Sequence, residues 1–223
     1  MVLPDYSLRN ERCILTHSGR QLQLLAPDPT QIEIADIAHG LAYQCCFNGQ
    51  ARHFYSIAQH CMLVAQQVAP QYRLAALLHD GAAAYLGAMP QILRQLMLEF
   101  QFIEKKFMAA IGEKFGISSF AVPAIQRAHM VALATERRDL LCHAAEPVIH
   151  EVAPAPIPRR IEALPPEEVK FRFAELLSDL VQKASPEKYS STVDLDMRRP
   201  HPENPKGAPQ RIRGGARLRS VPI

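Results

Sequence analysis

The sequence predicts an all-α fold: a helical bundle with a short extended segment before it and a flexible tail after it. Apolar residues, chiefly Leu and Ala, make up 48% of the 223 residues and aromatic residues only 7%. Leu and Ala are both strong helix formers. Signals for helix starts and stops also recur along the chain. A chain of this length can bury one core, so we expect one domain over residues 1–184.

The first helix is expected to follow an extended lead-in over residues 1–35. Within that lead-in, alternating apolar and polar residues predict a short strand at residues 20–25. Asp36 is a favourable N-cap. The first helix is therefore expected to run from Asp36 to about Cys46, before the break at residues 47–50.

Two histidine-bearing helices are predicted next. Ser56 can cap the second helix, which places His60 one turn inside it. The third helix is expected to begin at Tyr72 and to carry the pair His79-Asp80 in its C-terminal half, after an apolar run.

Three longer helices are predicted in the second half of the domain, over residues 91–115, 122–142 and 165–184. The Pro-rich stretch 147–166 is expected to be a loop that wraps the surface. The last helix opens with prolines and acidic residues, which suit the first turn of a helix. One apolar stripe is expected along it, formed by Phe171, Ala174, Leu177 and Val181.

The segment 185–223 differs from the domain in composition and charge. It holds eight Lys/Arg and four Asp/Glu, a net charge of +4. The whole chain has a net charge of +3, so residues 1–184 carry −1. It has many Pro, Arg and Gly residues and no periodicity, which predicts disorder unless a partner orders it. The arginines of residues 211–219 could bind nucleic-acid phosphates, dock on an acidic protein surface, or stay solvated. No aromatic residue is interleaved with them, which weakens the nucleic-acid interpretation.

Cysteine usage favours a cytoplasmic protein. The five cysteines show no CxxC spacing and include the adjacent pair Cys45-Cys46, which is typical of reduced thiols. Residues 1–16 contain no apolar segment of the kind found in secretory signals. No apolar run approaches the roughly 20 residues of a membrane span, so no membrane association is expected.

The most informative residues are His60 and the pair His79-Asp80. Two imidazoles and a carboxylate on neighbouring helices can hold a divalent metal ion. Such an ion can activate water against a phosphate ester. A single buried histidine is commonly just a packed, hydrogen-bonded side chain, so the functional interpretation depends on the three residues acting together.

Six segments occur in a fixed order along the chain. They are Asp36-Ile37-Ala38-His39, Phe47-Asn48-Gly49, residues 54–60 (FYSIAQH), Leu77-Leu78-His79-Asp80, Tyr85-Leu86-Gly87 and residues 134–140 (ATERRDL). Together they resemble the HD-domain phosphohydrolases, in the branch of small nucleotidase-like proteins related to bacterial 5′-deoxynucleotidases. The likeness covers roughly residues 15–180 and implies a helical fold with a metal ion held between helices.

The resemblance implies four metal ligands. The family's His and its His-Asp pair map onto His60, His79 and Asp80, and Asp80 is also assigned the catalytic role. The family's later Asp falls where this sequence has His129. Three imidazoles and one carboxylate suit one divalent transition metal, Zn²⁺, Fe²⁺, Co²⁺, Ni²⁺ or Mn²⁺, with Mn²⁺ less favoured because it prefers oxygen ligands. The resemblance also implies a homo-oligomer.

Several family positions that carry chemistry are changed here. The branch has a Glu in place of Ala83, which acts on the attacking water or the leaving group, and an Asp in place of Ala88. It commonly has an Arg in place of Cys46 and a His in place of Gln50, both able to meet phosphate. Since Ala83 follows His79 by four residues, we expect it on the same helical face, beside the metal. Loss of an acid-base group there costs about 10²–10⁴ in rate.

Candidate substrate contacts are Arg52 and His53, on the loop that leads to His60. They could hold a phosphate by charge-assisted hydrogen bonds, or belong to a solvated loop. His39 either takes part in the site or only packs against its neighbours. Residues 137–139 (Arg-Arg-Asp) are interpreted as a structural ion-pair cluster.

Glu136 lies on the same helical face as His129. Two helical turns separate them by about 10 Å along the axis, which is too far for Glu136 to act directly at the metal.

Two hypotheses follow. In the first, the protein is a metal-dependent phosphohydrolase that acts on a nucleotide or a similar small phosphate ester, with impaired turnover. In the second, it is an inactive HD-fold protein that binds nucleotide or serves assembly. The retained His60, His79 and Asp80 favour the first, and Ala83 favours the second.

Overall fold

The described chain is mostly helical, which confirms the all-α prediction. The computed structural model describes residues 13–142 and 154–184. The predicted tail, residues 185–223, lies outside the described residues. The helices are α1 (Ile34–Tyr43), α2 (Ile57–Gln66), α3 (Arg73–Leu77), α4 (Ala83–Leu86), α5 (Gln91–Leu96), α6 (Leu98–Phe115), α7 (Pro123–Leu140) and α8 (Pro166–Ala184).

A small hairpin precedes the helices. Strand β1 (Cys13–Leu15) pairs antiparallel with β2 (Gln21–Gln23). The alternation that predicted a strand at residues 20–25 is present in β2, whose central Leu22 is buried between exposed glutamines. Its partner β1 was not predicted, because its residues Cys13, Ile14 and Leu15 are all apolar and show no alternation.

Helix α1 begins at Ile34, so the prediction of Asp36 as its N-cap is wrong. Asp36 lies in the first helical turn and is buried. Its carboxylate accepts the backbone N–H of Ser18 at 2.7 Å and the Ser18 hydroxyl at 2.8 Å. Tertiary donors therefore take the carboxylate that was expected to cap the helix, and they tie the hairpin turn to α1.

Helix α2 starts as predicted. The Ser56 hydroxyl accepts the backbone N–H of Gln59 at 3.2 Å, which is the expected capping bond. His60 follows one turn inside and is buried. Helix α2 packs against α1, α3, α7 and α8, so it occupies the centre of the bundle.

The third helix is shorter than predicted, because α3 ends at Leu77. His79 and Asp80 lie in the turn that follows, so the prediction of a continuous helix through them is wrong. The Gly81 N–H donates to Leu78 O at 2.9 Å and the Ala83 N–H donates to Asp80 O at 2.9 Å. Ala83 begins α4, so it does not share a helix with His79 and the expected common face does not exist.

The helix predicted over residues 91–115 is two helices, with the break at Met97. The side-chain amide of Gln101 donates to Arg94 O at 2.8 Å, which satisfies a carbonyl at the end of α5. Arg94 and Glu104 form an ion pair across the break at 3.1 Å. These contacts hold α5 back against α6.

Helix α8 matches its predicted bounds within one residue. Ala174, Leu177 and Val181 are buried as expected, but Phe171 is 49% exposed. Val169 and Phe173 take its place in the core. Phe171 is two residues from each of them, about 200° around the helix, so it cannot face the same side.

The Pro-rich segment that precedes α8 is a loop over its described residues, 154–165. Several hydrogen bonds tie it to α2 and α7. Arg138 donates to Ile157 O at 2.8 Å, and the Leu164 N–H donates to the Gln59 side chain at 3.2 Å. None of the helices in residues 13–142 and 154–184 has both the length and the hydropathy that a membrane-spanning helix needs.

Candidate metal centre

Three imidazoles meet inside the bundle. His60 comes from α2, His79 from the turn after α3 and His129 from α7, and each offers a ring nitrogen within 4.8 Å of the others. Their ring centroids are separated by 5.0 to 5.4 Å. The rings are tilted or perpendicular to one another rather than stacked. Such an arrangement lets three lone pairs point toward one place.

Asp80 completes this group. Its Oδ2 lies 3.4 Å from Nε2 of His79 and 3.9 Å from Nε2 of His60. The side chain is 36% exposed, whereas the His60 side chain is almost fully buried. The structure therefore brings together all four residues that were predicted as ligands, with the carboxylate on the side that solvent can reach.

Hydrogen bonds determine which ring nitrogen His60 and His79 present to the centre of the cluster. Nδ1 of His79 lies 2.8 Å from Ala76 O, and a carbonyl only accepts, so Nδ1 carries the proton. Nε2 of His79 is then an acceptor, and this buried atom has no partner among the described residues. Nδ1 of His60 lies 2.7 Å from a carboxylate oxygen of Glu136, which leaves its Nε2 toward Asp80.

Glu136 is the residue whose role was missed from the sequence. It is fully buried on α7, and its Oε1 accepts hydrogen bonds from His60 at 2.7 Å and from the Tyr55 hydroxyl at 2.9 Å. Its other oxygen, Oε2, has no partner within the described chain. A carboxylate behind a ligating histidine sets the tautomer and raises the basicity of the ring. The seven-residue spacing from His129 was the available signal, because it places both side chains on the face of α7 that packs on α2.

The pKa values of the histidines follow their surroundings. Burial lowers the pKa of His60, but the charge and hydrogen bond of Glu136 outweigh burial and the net shift is upward. Burial lowers the pKa of His79. Burial, followed by the charges of His60 and His79, lowers the pKa of His129 to about 4. His79 and His129 are therefore neutral near pH 7, with lone pairs free to bind.

Asp80 is ionised in the same conditions. Burial raises its pKa, but the charges of His79, His60 and His129, and then that of Arg94, outweigh burial and the net shift is downward. Cys61 also offers a ligand atom within 4.8 Å of those of His79 and Asp80. Burial holds the pKa of the Cys61 thiol well above its usual value, so it stays protonated.

The sequence did not reveal that Arg94 lies near enough to the centre for its positive charge to act on it. Its charge contributes to the lowered pKa of both Asp80 and His129, after the larger effects of burial and of the histidines. Nη1 of Arg94 lies 3.1 and 3.4 Å from the two carboxylate oxygens of Glu104. Its other guanidinium N–H groups make no hydrogen bond to a described residue, so they are free to meet an anion.

The structure does not bring Arg52 or His53 to the histidines. Both are exposed on the loop before α2. The backbone N–H of Arg52 donates to Leu140 O at 2.9 Å, at the end of α7. Leu140 is eleven residues beyond His129, about 16 Å along the helix axis. The side chain of an arginine is too short to cover that distance.

Ala83 and Ala88, where the resemblance had implied carboxylates, lie at the start of α4 and just after its end. Ala83 O accepts the side-chain N–H of Gln44 at 2.7 Å, and the backbone N–H of Ala88 donates to the same amide at 3.1 Å. The Gln44 side chain is therefore hydrogen-bonded to the backbone at the start of α4 and just after its end. Burial, then the charges of Glu136 and Asp80, raises the pKa of the Cys46 thiol, which places Cys46 near the same charges.

No protein-family model matches the chain. It is 38% identical over 127 residues to the uncharacterized protein YfdR of Escherichia coli strain K12, covering 57% of this chain and 71% of that protein. It is 33% identical over 174 residues to the uncharacterized protein RCAP_rcc00048 of Rhodobacter capsulatus, covering 70% of this chain and 89% of that protein. The chain belongs to the family of these two proteins.

Other predicted residues of this family member lie away from the centre. Arg138 and Asp139 form the expected ion pair at 2.7 Å, which Arg160 joins at 2.6 Å. His39 stacks on His17 with a centroid separation of 3.7 Å and lines a cavity of about 320 Å³. None of the three clustered histidines lines that cavity, so His39 belongs to a different part of the surface.

Proposed function

We propose that this protein is a metal-dependent phosphohydrolase of the HD type, which acts on a nucleotide or a similar small phosphate ester. One observation carries the proposal. His60, His79 and His129, from three separate parts of the sequence, have ring nitrogens within 4.8 Å of one another, and the carboxylate of Asp80 lies 3.4 Å from His79 and 3.9 Å from His60.

The residues fit a divalent transition metal. His79 and His129 are neutral. Nδ1 of His60 and of His79 is bound behind the ring, so that Nε2 is presented as a ligand, which is how metal-binding histidines are normally held. The buried Nε2 of His79 has no partner in the described chain, which a metal ion would supply. Three nitrogens and one carboxylate favour Zn²⁺, Fe²⁺, Co²⁺ or Ni²⁺ over Mn²⁺ and Mg²⁺, which prefer oxygen ligands.

The chain's own residues have separable roles in this proposal. A bound divalent ion would supply a Lewis acid that polarises a phosphoryl oxygen and acidifies water. Asp80 is the ligand that solvent reaches, and its carboxylate can accept a hydrogen bond from the attacking water and so orient it. Arg94 can donate to a phosphate oxygen by a charge-assisted bond. Glu136 acts through His60 as a positioning residue.

The charge of the centre supports an anionic substrate. A divalent ion with a single ionised ligand, Asp80, leaves a net charge of +1, and Arg94 adds another positive charge nearby. A desolvated cationic site of this kind attracts a phosphate.

Purified protein without added metal provides the test. We expect a bound transition metal by elemental analysis, and turnover of a nucleoside monophosphate or triphosphate in a screen with Zn²⁺, Co²⁺ and Mn²⁺. His79→Ala should lose both metal and turnover, while His53→Ala, at an exposed histidine, should keep both. A protein that binds metal but turns over no phosphate ester with any ion would refute the hydrolase.

A second function is favoured by Ala83. In this alternative the protein keeps the centre and binds a nucleotide or serves assembly, without turnover. Ala83 follows Asp80 within one turn, and its methyl group cannot move a proton. Activity that appears only in the double variant Ala83→Glu with His129→Asp would identify this case. Nucleotide binding without turnover in that variant would favour a binding role.

A further inference from the structure

The β1–β2 turn (residues 16–19) rests on α1. The carboxylate of Asp36 accepts the backbone N–H of Ser18 at 2.7 Å and the Ser18 hydroxyl at 2.8 Å. Beside this contact, the ring of His17 lies flat on the ring of His39, with a centroid separation of 3.7 Å and an interplanar angle of 1°. The turn is therefore held by a hydrogen-bonded carboxylate and by a stacked pair of imidazoles.

A flat stack of two imidazoles depends on their protonation. The ordinary pKa of histidine is about 6.5, so imidazoles gain protons as the pH falls from about 7 to about 5. If both rings carried a proton, two positive charges would face each other across 3.7 Å. The stack thus links the docking of the turn to pH, in a range where carboxylates, lysines and arginines with ordinary pKa values keep their charge.

The surroundings of His39 disfavour a proton on its ring. Burial contributes most to the lowered pKa of His39, followed by the charges of His17 in the turn and of Lys170 in α8. The charge of Asp36, on the same helix as His39, opposes them and has a smaller effect. The docked arrangement therefore favours the neutral ring.

A proton on Nδ1 of His39 would have no acceptor among the described residues. An imidazolium donates from both nitrogens, yet this buried Nδ1 makes no hydrogen bond within the described chain. The other face of His39 stacks on Tyr43 at 4.4 Å, and the Tyr43 hydroxyl donates to Glu167 of α8 at 3.2 Å. Tyr85 of α4 lines the same cavity as His39, and its buried hydroxyl likewise lacks a described partner. Since a buried charge without a hydrogen-bond partner is costly, protonation favours an arrangement that exposes His39.

We propose that the stacked pair of His17 and His39 is a pH-sensitive switch, which releases the β1–β2 turn from α1 in mildly acidic solution. The turn and β1 form one wall of the cavity of about 320 Å³, and residues of α1 and α4 form the others. Leu22 is fully buried, and Arg20 pairs with Glu33 at 2.6 Å, so β2 stays anchored. Release of the turn therefore opens the cavity without unfolding the bundle.

The direction of the pH effect follows from the lowered pKa of His39. Above a pH of about 6.5 the ring is neutral in both the docked and the released turn, so docking does not depend on pH. As the pH falls below this value the released form takes up the proton first, and docking weakens until the docked form is protonated as well. One proton can change the docking equilibrium by at most about 30-fold at pH 5.

Amide hydrogen exchange, measured by NMR on the full-length protein at pH 7 and pH 5, tests the switch. Division of the observed rates by the intrinsic rates at each pH leaves the protection that is due to structure. The Ser18 amide is the reporter, because its N–H donates to Asp36 across the contact. We expect its protection to fall by about 10-fold at pH 5, whereas the amides inside α6 should keep theirs.

Two variants keep an aromatic ring in the stack and remove a titrating group. His39→Phe should leave the protection of the Ser18 amide nearly equal at the two pH values. His17→Phe should reduce the pH dependence and raise the pH at which the His39 ring titrates, because one positive charge near it is gone. His53→Phe is the matched control, at an exposed histidine on the loop before α2, and it should keep the full pH dependence.

Circular dichroism at pH 7 checks that each variant folds. Because His17 is exposed, His17→Phe is expected to fold and decides the question even if His39→Phe does not. Equal protection of the Ser18 amide at pH 7 and pH 5 in the unchanged protein would overturn the proposal. A pH dependence of the same size in His17→Phe as in the unchanged protein would overturn it as well.

Discussion

The carboxylate of Glu136 lies 2.7 Å from Nδ1 of His60, with both side chains buried. This bond decides the tautomer of His60 and turns its Nε2 toward Asp80. Because the carboxylate is removed from solvent, its charge acts on the imidazole with little screening.

Glu136→Gln should weaken transition-metal binding by about 10- to 100-fold, which is the usual cost of losing a carboxylate behind a ligating histidine. The amide oxygen can still accept the His60 N–H, so the loss reports charge rather than geometry. Titration with Co²⁺ or Zn²⁺ against a competing chelator measures it.

Tyr55→Phe is the control for Glu136. It removes the second hydrogen bond to the same carboxylate and leaves the bond to His60 in place. It should lower the free energy of unfolding by about 1 kcal/mol and change metal affinity little. Equal metal affinities in Glu136→Gln and in the unchanged protein would show that the carboxylate does not tune the centre.

Arg94→Gln should weaken binding of a phosphate ester or of competing inorganic phosphate by about 10- to 100-fold, the value of a charge-assisted bond. The change should appear in KM or in the inhibition constant for phosphate. Arg52→Gln removes an equal charge from the loop that α7 holds away from the histidines, and it should have little effect. A larger effect from Arg52 than from Arg94 would reverse this assignment.

Protonation of Asp139 should make the protein less stable in acid. Hydrogen bonds from Arg138, from the Ile161 backbone and from Arg160 hold its pKa well below its usual range, against a smaller opposing effect of burial. A carboxyl with a lowered folded pKa stabilises the protein fully above its unfolded pKa of about 3.9. That stability is lost as the pH falls below about 4 toward the folded pKa.

Urea unfolding between pH 3 and pH 7 measures this effect, with Asp139→Asn as the comparison. The variant should be less stable than the unchanged protein at pH 7 by about 2–4 kcal/mol, because Arg138 and the loop at Ile161 lose their partner. The difference should shrink toward pH 3. A difference that stays constant across this range would exclude titration of Asp139 as its cause.

Gly40→Ala should destabilise the fold by about 3 kcal/mol, since overpacked substitutions cost 1–3 kcal/mol or more. A Cβ at Gly40 would lie 2.4 Å from the backbone oxygen of Ala84, where α1 meets α4. Thermal or urea unfolding measures the loss. Ala109→Gly is the reverse substitution, at an exposed site on α6. It should lower the free energy of unfolding by about 1 kcal/mol, which is the difference in helix propensity between Ala and Gly without a close neighbour.

The sequence predicted the helices best where local signals and packing agree. The Ser56 cap and the proline and acidic residues at the start of α8 were sufficient for those boundaries. The predictions for Asp36, for the helix through His79 and for the helix across Met97 were wrong. In each case a partner distant in sequence decided the structure, such as Ser18 for Asp36.

The convergence of the four proposed ligands could be predicted because the resemblance related distant segments. The positions of Arg94 and Glu136 could not, since one depends on how α5 folds back on α6 and the other on how α7 packs on α2. Arg52 was predicted from its nearness in sequence to His60. The bond to Leu140 O shows that such nearness does not give nearness in space.

The break of the third helix at Leu77 has a consequence for folding. His79 is held by a turn rather than by a helix, and among the described residues its ring makes one hydrogen bond, to Ala76 O. An ion bound at 60, 79 and 129 would act as a cross-link that closes chain loops of 19 and 50 residues. Chelation should then lower the melting temperature in proportion to the logarithm of free metal, and it should loosen first the turn that separates α3 from α4.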